Sequence, residues 1–311
     1  MAAHIIVVGT VFVDCKGFSA VRYDPHGRNV GSVKFVHGGV GRNVAENIGR
    51  LGLPTSLVSS VDKGSIGNDV VERLTASGVG ASYLARTDTG GMGMWLAVMD
   101  ENGELAGSIS QMPDLQGMEN SLSLMGETMM EQATHVALEL DLNERITRQV
   151  LKLAKKKAKP VYGLPGNLEV VMKAPDVLDG LALFVCNHIE LGRLCGEEFG
   201  DTDADKILAK LPEVTGKFGL QALVVTLGAR GSVYYDVVSG ERGFQSALPV
   251  KVVDTCGAGD AFFSGALAGL ARGETLATAV VTGTAVAACT IQSPENNCVQ
   301  LAEQLAQFHS K

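Results

Sequence analysis

Three things are missing from this chain, and each removes a class of function. Positive charge is not in excess: 26 Lys and Arg stand against 34 Asp and Glu, a net charge of −8. A nucleic-acid polymer, whose phosphates need a basic surface, is therefore not the expected partner. Nor is there a run of about 18 apolar residues of the kind that spans a bilayer. The nearest approach, 277–291, is interrupted by threonines and by Gly283, and the start, Met1-Ala2-Ala3-His4, lacks the basic region and cleavage site of a secretory signal. No membrane is expected. Finally, the six cysteines, at 15, 186, 195, 256, 289 and 298, contain no CxxC pair and no metal-like spacing with histidine. A reduced, cytoplasmic setting is the expectation. Internal repeats, linkers and low-complexity tracts are absent too, which favours one domain over 1–311.

What is present is a core. Apolar residues make up 46% and charged residues 19%, the balance of a folded domain. Short apolar runs at 5–8, 55–60, 81–85, 135–140, 160–162, 183–186 and 222–226 read as strands. They alternate with helical periodicity at 43–51, 67–76, 122–132, 144–157, from 188 and at 203–214, and the tail is helical over 258–271, 275–290 and 299–308. This is the βα alternation of a parallel sheet covered on both faces. The one dense basic run, 152–159, falls where Lys155-Lys156-Lys157 would close a helix and suit its dipole. Two β-rich patches, about 15–37 and 93–110, break the alternation. The second carries Asn102-Gly103 as a hairpin turn. Together they predict a small sheet projecting from the main body as a lid.

The densest chemistry is Asp254-Thr255-Cys256-Gly257-Ala258-Gly259-Asp260, which leads straight into an apolar, helix-compatible run. Small residues at a helix start leave backbone N–H groups bare, and the partial positive charge there holds an anion. A carboxylate in the same turn can take the proton of a hydroxyl while the amides neutralise a moving phosphoryl group. Asp260 is thus a candidate base for phosphoryl transfer. A Gly-capped connection whose acids only cap a helix fits the same residues.

Other motifs fall at strand ends or helix starts. Gly38-Gly39-Val40-Gly41-Arg42-Asn43 makes a poor dinucleotide turn, because Val44 stands at the third glycine position. It reads better as two glycines that admit a polyol to the backbone, with the Asn43 amide for its hydroxyls or as a plain N-cap. Thr226-Leu227-Gly228-Ala229-Arg230-Gly231 runs from a strand into a turn, where α/β sheets bind ligands, and a nucleotide or a simple β-turn satisfies it. Asn187 and Glu190 open a helix with an amide and a carboxylate one turn apart. That pair suits a hydrated Mg²⁺ or a capping box. Asp14, read as closing the first strand segment, offers two acceptor oxygens to a sugar diol, or serves a turn.

With both glycine motifs and Asn187-x-x-Glu190 in order, the chain resembles the ribokinase-like (PfkB) carbohydrate kinases over essentially its whole length. The resemblance implies a three-layer α/β fold with a mostly parallel central sheet and a small β-sheet lid. It implies ATP-dependent phosphorylation of a sugar hydroxymethyl group, with Asp260 as base and Gly257, Ala258 and Gly259 as anion hole. Asn187 and Glu190 would organise Mg²⁺ and phosphates, while Thr226, Gly228 and Gly231 would contact ATP. Asp14, Gly38, Gly39 and Asn43 would hold the sugar, and Asp254 would join a monovalent-cation site of the potassium type. Residues 29–35 together with Arg42-Asn43 are similar to the pseudouridine kinases, so the expected acceptor is the 5′-type hydroxyl of pseudouridine or a related nucleoside. The alternatives are a free sugar of ribose or ketose type, or a non-catalytic regulator that binds nucleotides or nucleosides. Three places depart from the family pattern: Phe12 replaces a sugar-binding Asn, Asp62 replaces a Gly, and Gly163-Leu164-Pro165 replaces an Asp-Pro. Trp95 on the second lid patch is expected either to pair the lids of a homodimer or to cover the substrate.

Overall fold

The computed structural model describes residues 3–88 and 90–309. In chain order the first half comprises β1 (Ile5–Val8), β2 (Phe12–Ser19), β3 (Gly31–Gly38), α1 (Val40–Arg50), β4 (Thr55–Asp62), α2 (Ser65–Ala76), β5 (Val79–Gly80), β6 (Leu84–Thr87), β7 (Gly93–Met99), β8 (Leu105–Gln111), α3 (Gln116–Gln132) and β9 (His135–Glu139). The second half comprises α4 (Glu144–Lys156), β10 (Val161–Leu164), α5 (Glu169–Lys173), β11 (Leu183–Asn187), α6 (His188–Cys195), α7 (Ala204–Phe218), β12 (Ala222–Thr226), β13 (Gly231–Asp236), β14 (Arg242–Ser246), α8 (Ala258–Ala271), α9 (Leu276–Thr290) and α10 (Leu301–His309).

The large sheet runs β14-β13-β12-β11-β10-β9-β1-β4-β5, with β6 also paired to β4. Pairing is parallel from β12 through β4 and turns antiparallel only at β13 and β14. The side chains of β1 explain why it is central. All four are buried, and because successive residues face opposite ways, Ile5 and Val7 enter one apolar cluster while Ile6 and Val8 enter another. The first cluster holds α1, α8 and α9 against the sheet; the second holds α3, α4, α6 and α7. The result is three layers, with the carboxyl ends of β1, β9, β11 and β12 along one edge.

β2, β3, β7 and β8 form a separate four-stranded sheet in the order β3-β2-β7-β8. It is the expected lid, with wider bounds than the composition suggested: its strands begin at Phe12 and end at Gln111. Asp14 is accordingly not the close of the first strand. β1 stops at Val8, and Asp14 sits inside β2 opposite Val36 and Trp95. The lid's two faces differ. Val33, Phe35, Leu96 and Ile109 share the outward face and are 64, 61, 45 and 70% exposed. Asp14 and Trp95 share the other face, turned toward the main body.

Elsewhere α8 begins and ends where periodicity placed it, β12 has the expected bounds, and Lys155 and Lys156 close α4. The strands β13 and β14 and the short α5 were not expected from the sequence. β14 is short and half-exposed, and α5 is a single turn whose start is set by Asp141, which accepts from the N–H groups of Gly166, Asn167, Leu168 and Val170. Neither leaves a periodic signal. No helix among the described residues is long and apolar enough to cross a membrane.

Candidate active site

The N-terminus of α8 divides the sheet edge into two cavities. Gly257, the residue before the helix, has φ +76°, and a Cβ there would lie 2.3 Å from the Asn296 carbonyl oxygen, so only glycine makes this turn. Ala258 N–H donates to Thr255 O, and the first bond of helical spacing is Ala261 N–H to Gly257 O. The amides of Gly259 and Asp260 precede it, the orphan donors of a helix start. Asp260 lines one cavity and Gly259 the other.

The first cavity, about 580 Å³, lies between the lid and the main body. Asp14, Gly38, Gly39, Asn43 and Asp260 all line it, so residues separated by more than 200 positions meet there as expected. Asn43 is not the helix cap. Gly39 is, with φ +94° and no room for a Cβ, which would stand 2.6 Å from Phe12 N and Thr10 O. Asn43 sits one turn in, buried, and donates its amide N–H to Asp260 Oδ2 at 2.7 Å. Gly38 allows Asp14 to come close: a Cβ would be 3.3 Å from both carboxylate oxygens. Burial raises the Asp14 carboxyl, against the pull of Lys16, Asn296 and Arg42.

Asp260 is pushed up to about 6, first by burial and also by the Glu190 charge, while the Asn43 hydrogen bond and Arg42 pull it down. A base poised near neutrality is what proton abstraction from a hydroxyl needs.

Sequence reading missed Glu139 and Asn296 and left two places open for Trp95. Glu139 ends β9 and is 6% exposed, accepting from Thr10 N–H at 2.7 Å and from Thr10 Oγ1 at 2.9 Å. Burial pushes it up to about 7, and the nearby Asp260 charge adds to this. The signal was there: an acid inside the apolar run 136–140 is costly unless it has work to do. Trp95 and Phe12 line the cavity, so Trp95 covers the site and does not lie on the lid's outer face. Asn296 donates to His37 O at 3.1 Å and stands beside Asp14.

The second cavity, about 390 Å³, is walled mainly by small and apolar residues, among them Ala247, Pro249, Ala287 and Ala288, with Thr226, Gly228, Gly231, Ala258 and Gly259. Gly228 and Gly231 both have positive φ, +55° and +119°. Asn187 ends β11 in register with Thr226. Asn187 and Glu190 do form a capping box: Asn187 Oδ1 accepts from Glu190 N–H at 2.8 Å and Glu190 Oε2 from Asn187 N–H at 2.7 Å. The two sequence readings are compatible, because Glu190 has a second oxygen and is electrostatically close to Asp141 and Asp260. Burial and the Asp141 charge raise its carboxyl, a cost that a cation would relieve. Among the described residues no group of three or more His, Cys, Asp or Glu side chains forms a ready cage. Asp254 accepts from Cys256 N–H at 2.9 Å through Oδ1, and its Oδ2 is 4.0 Å from Lys16 Nζ on the lid.

Known proteins bear out the class of chemistry. The description "pfkB family carbohydrate kinase" matches residues 2–300. The chain belongs to this family. A guanosine-inosine kinase of Exiguobacterium acetylicum is 35% identical over 95% of this chain and 96% of its own. A pseudouridine kinase of Escherichia coli K12 is less similar, at 26% over 84% of this chain and 82% of its own. In three dimensions, a sugar kinase structure from Clostridium perfringens superposes with TM-score 0.85 at 27% identity, covering 99% of this chain and 96% of that one. The Arabidopsis thaliana ribokinase, solved with ribose and ATP, superposes with TM-score 0.82 at 22% identity over 98% and 99% and supports the fold. As a pfkB kinase the protein is a phosphotransferase with a hydroxyl acceptor. The resemblance to pseudouridine kinases therefore holds, but the guanosine-inosine kinase is the nearer of the two relatives.

Proposed function

We propose that this pfkB kinase transfers the γ-phosphoryl group of ATP to the 5′-hydroxyl of a ribonucleoside, with purine nucleosides of the guanosine and inosine kind ahead of pseudouridine. The observation that carries this reading is the make-up of the acceptor cavity. Its lining combines diol-binding groups, Asp14 and Asn43, beside Asp260, with the apolar and aromatic side chains of Phe12, Trp95, Met112 and Pro113. A sugar needs only the first set, whereas a base needs the second, since aromatic faces stack bases.

In this reading Asp14, Gly38, Gly39 and Asn43 seat the ribose, and Asp260 takes the proton as the hydroxyl oxygen attacks phosphorus. The amides of Gly257 and Gly259 stabilise the charge on the moving group, whereas the Ala258 amide, expected to join them, is engaged by Thr255 O. Thr226, Gly228 and Gly231 receive the nucleotide, with Asn187 near its phosphates. Glu190 would hold Mg²⁺, which neutralises the phosphate charge. The proposed potassium-type role of Asp254 rests on family resemblance, and its carboxylate meanwhile faces Lys16. Closure of the lid would exclude water as a competing acceptor. The proposal of a homodimer through the lid now rests on the outward apolar face of Val33, Phe35, Leu96 and Ile109 rather than on Trp95.

The test is ATP-dependent ADP release with guanosine, inosine, adenosine, pseudouridine, ribose and fructose. Guanosine or inosine is expected to give the highest kcat/KM, at least about tenfold above either free sugar, the scale of one stacking contact. A free sugar at the top would show that Phe12 and Trp95 do not hold a base, and no turnover with any acceptor would favour a binding protein.

A further inference from the structure

Arg42 is 1% exposed and among the largest side chains that the fold buries completely. A guanidinium is taken out of water only where its donors are satisfied, and those of Arg42 are. Nη1 donates to Glu46. Nε donates to Gly38 O at 3.3 Å, and Nη2 donates both to His37 O at 2.5 Å and to Asn43 Oδ1. Glu46, fully buried, is also held by Arg50 at 2.9 Å and by Arg73 at 3.2 Å. Arg42 is therefore not needed to neutralise Glu46, and its remaining bonds call for another explanation.

That explanation lies in the Asn43 amide, which has one accepting end and one donating end. With Oδ1 held by Arg42, Nδ2 is the end left for Asp260 Oδ2, 2.7 Å away. The opposite rotamer would set an amide oxygen against a carboxylate and leave a buried guanidinium donor unmet. The same guanidinium grips the last two carbonyls of the lid strand β3.

We propose that Arg42 is a positioning residue for phosphoryl transfer: through the Asn43 amide it fixes the Asp260 carboxylate, and through His37 and Gly38 it ties the end of the lid strand to the same point. The proposal rests on Asp260 being the base. Charges facing Asp260 come from three elements: Arg42 on α1, Glu139 on β9 and Glu190 on α6. Only the first favours the ionised form, so losing Arg42 moves the acid limb of activity toward higher pH.

The experiment compares Arg42→Gln, Arg42→Lys, Glu46→Gln and Asp260→Asn with the full-length parent, using active-site-titrated kcat, KM for ATP, thermal midpoint and the pH profile of kcat/KM. Arg42→Gln is expected to lower kcat roughly 10- to 100-fold, the scale of a small misplacement of a reacting group. The acid limb should shift upward with KM for ATP unchanged. Arg42→Lys should restore the limb and recover only part of kcat, because one ammonium cannot serve all the acceptors. Glu46→Gln should lower the thermal midpoint while kcat stays within about threefold of the parent, since it does not touch Asn43. If Arg42→Gln loses thermal stability alone, with kcat per folded molecule and the acid limb unmoved, Arg42 is a structural ion-pair member and the proposal falls. Should that variant not fold, Arg42→Lys carries the same decision through its kcat. An Asp260→Asn enzyme with near-normal turnover would instead bring down the base assignment, a separate outcome.

Discussion

The two cavities that meet at α8 are built from different materials. On the nucleotide side the walls are alanines, a proline, glycines with positive φ and backbone amides. On the acceptor side four carboxylates, Asp14, Glu139, Asp141 and Asp260, converge from three separate parts of the chain beside Phe12 and Trp95. A surface of amides, small side chains and apolar residues such as Leu248 and Ile291 binds a cosubstrate by shape and phosphate charge. A crowd of acids in a partly desolvated cleft spends stability to set protonation. Under the proposed function selectivity and proton chemistry belong to the acceptor side, and the contrast can be broken or sharpened by substitution.

The largest effect should come at the boundary. Asp260→Asn keeps size and polarity and removes the base, so kcat should fall about 10²- to 10⁴-fold while ATP affinity is retained. With Asp260 pushed up to about 6, parent kcat/KM should climb as pH rises through that value and then level off. Below it the carboxyl is protonated and cannot accept the hydroxyl proton. A parent profile flat from pH 5 to 8 would overturn Asp260 as the titrating base, and an Asn variant still showing the limb would move the titrating group elsewhere, Glu139 being the first place to look.

Trp95→Ala should act on the acceptor side alone. One lost base stack is worth about 1–3 kcal/mol, so KM for the nucleoside should rise by roughly 5- to 150-fold. KM for ATP, bound beyond α8, should move less than about twofold. Equal losses for both substrates would mean that Trp95 supports the lid as a whole rather than a base.

The difference between the cavities also decides what the sequence could show. On the nucleotide side two contiguous motifs, 226–231 and 254–260, were legible because their glycines and strand ends are local properties, whereas the wall residues at 247–252 and 284–291 carry no such local mark. So was the alternation that builds the sheet, since Ile5 to Val8 or Ala222 to Thr226 bury both faces. The acceptor side depends on tertiary placement. Trp95 alternates in a strand, and nothing local says which lid face meets the body; the register of β2 against β7 decides it. Asp14 was expected at the close of the first strand and lies inside β2, because the chain leaves the main sheet at Val8 and re-enters order in the lid. Glu139 went unread although a lone acid within an apolar strand is conspicuous. Asn296 lies in a loop without periodicity, and only contact with His37 and Asp14 gives it meaning.

The smallest expected effect tests the cost of that crowd directly. Glu139 titrates at about 7 in the fold against an ordinary value of 4.5. Between those values the folded protein holds a proton that the unfolded chain releases, so stability from this group falls as pH rises through the window. At pH 8 the charged form costs roughly 3 kcal/mol. The Thr10 bonds are already counted in that cost; Glu139→Gln removes the charge but sets amide N–H groups where the carboxyl stood, and an unmet buried donor offsets about 2 kcal/mol. The ligand-free variant should therefore be about 1 kcal/mol more stable than the parent at pH 8. At pH 4.5 and below, where the parent carboxyl is already neutral, that advantage should be gone. Urea denaturation at the two pH values measures it. A variant destabilised equally at both would show that the Thr10 contacts outweigh the charge, and that the acceptor cavity holds its acids at no cost to the fold.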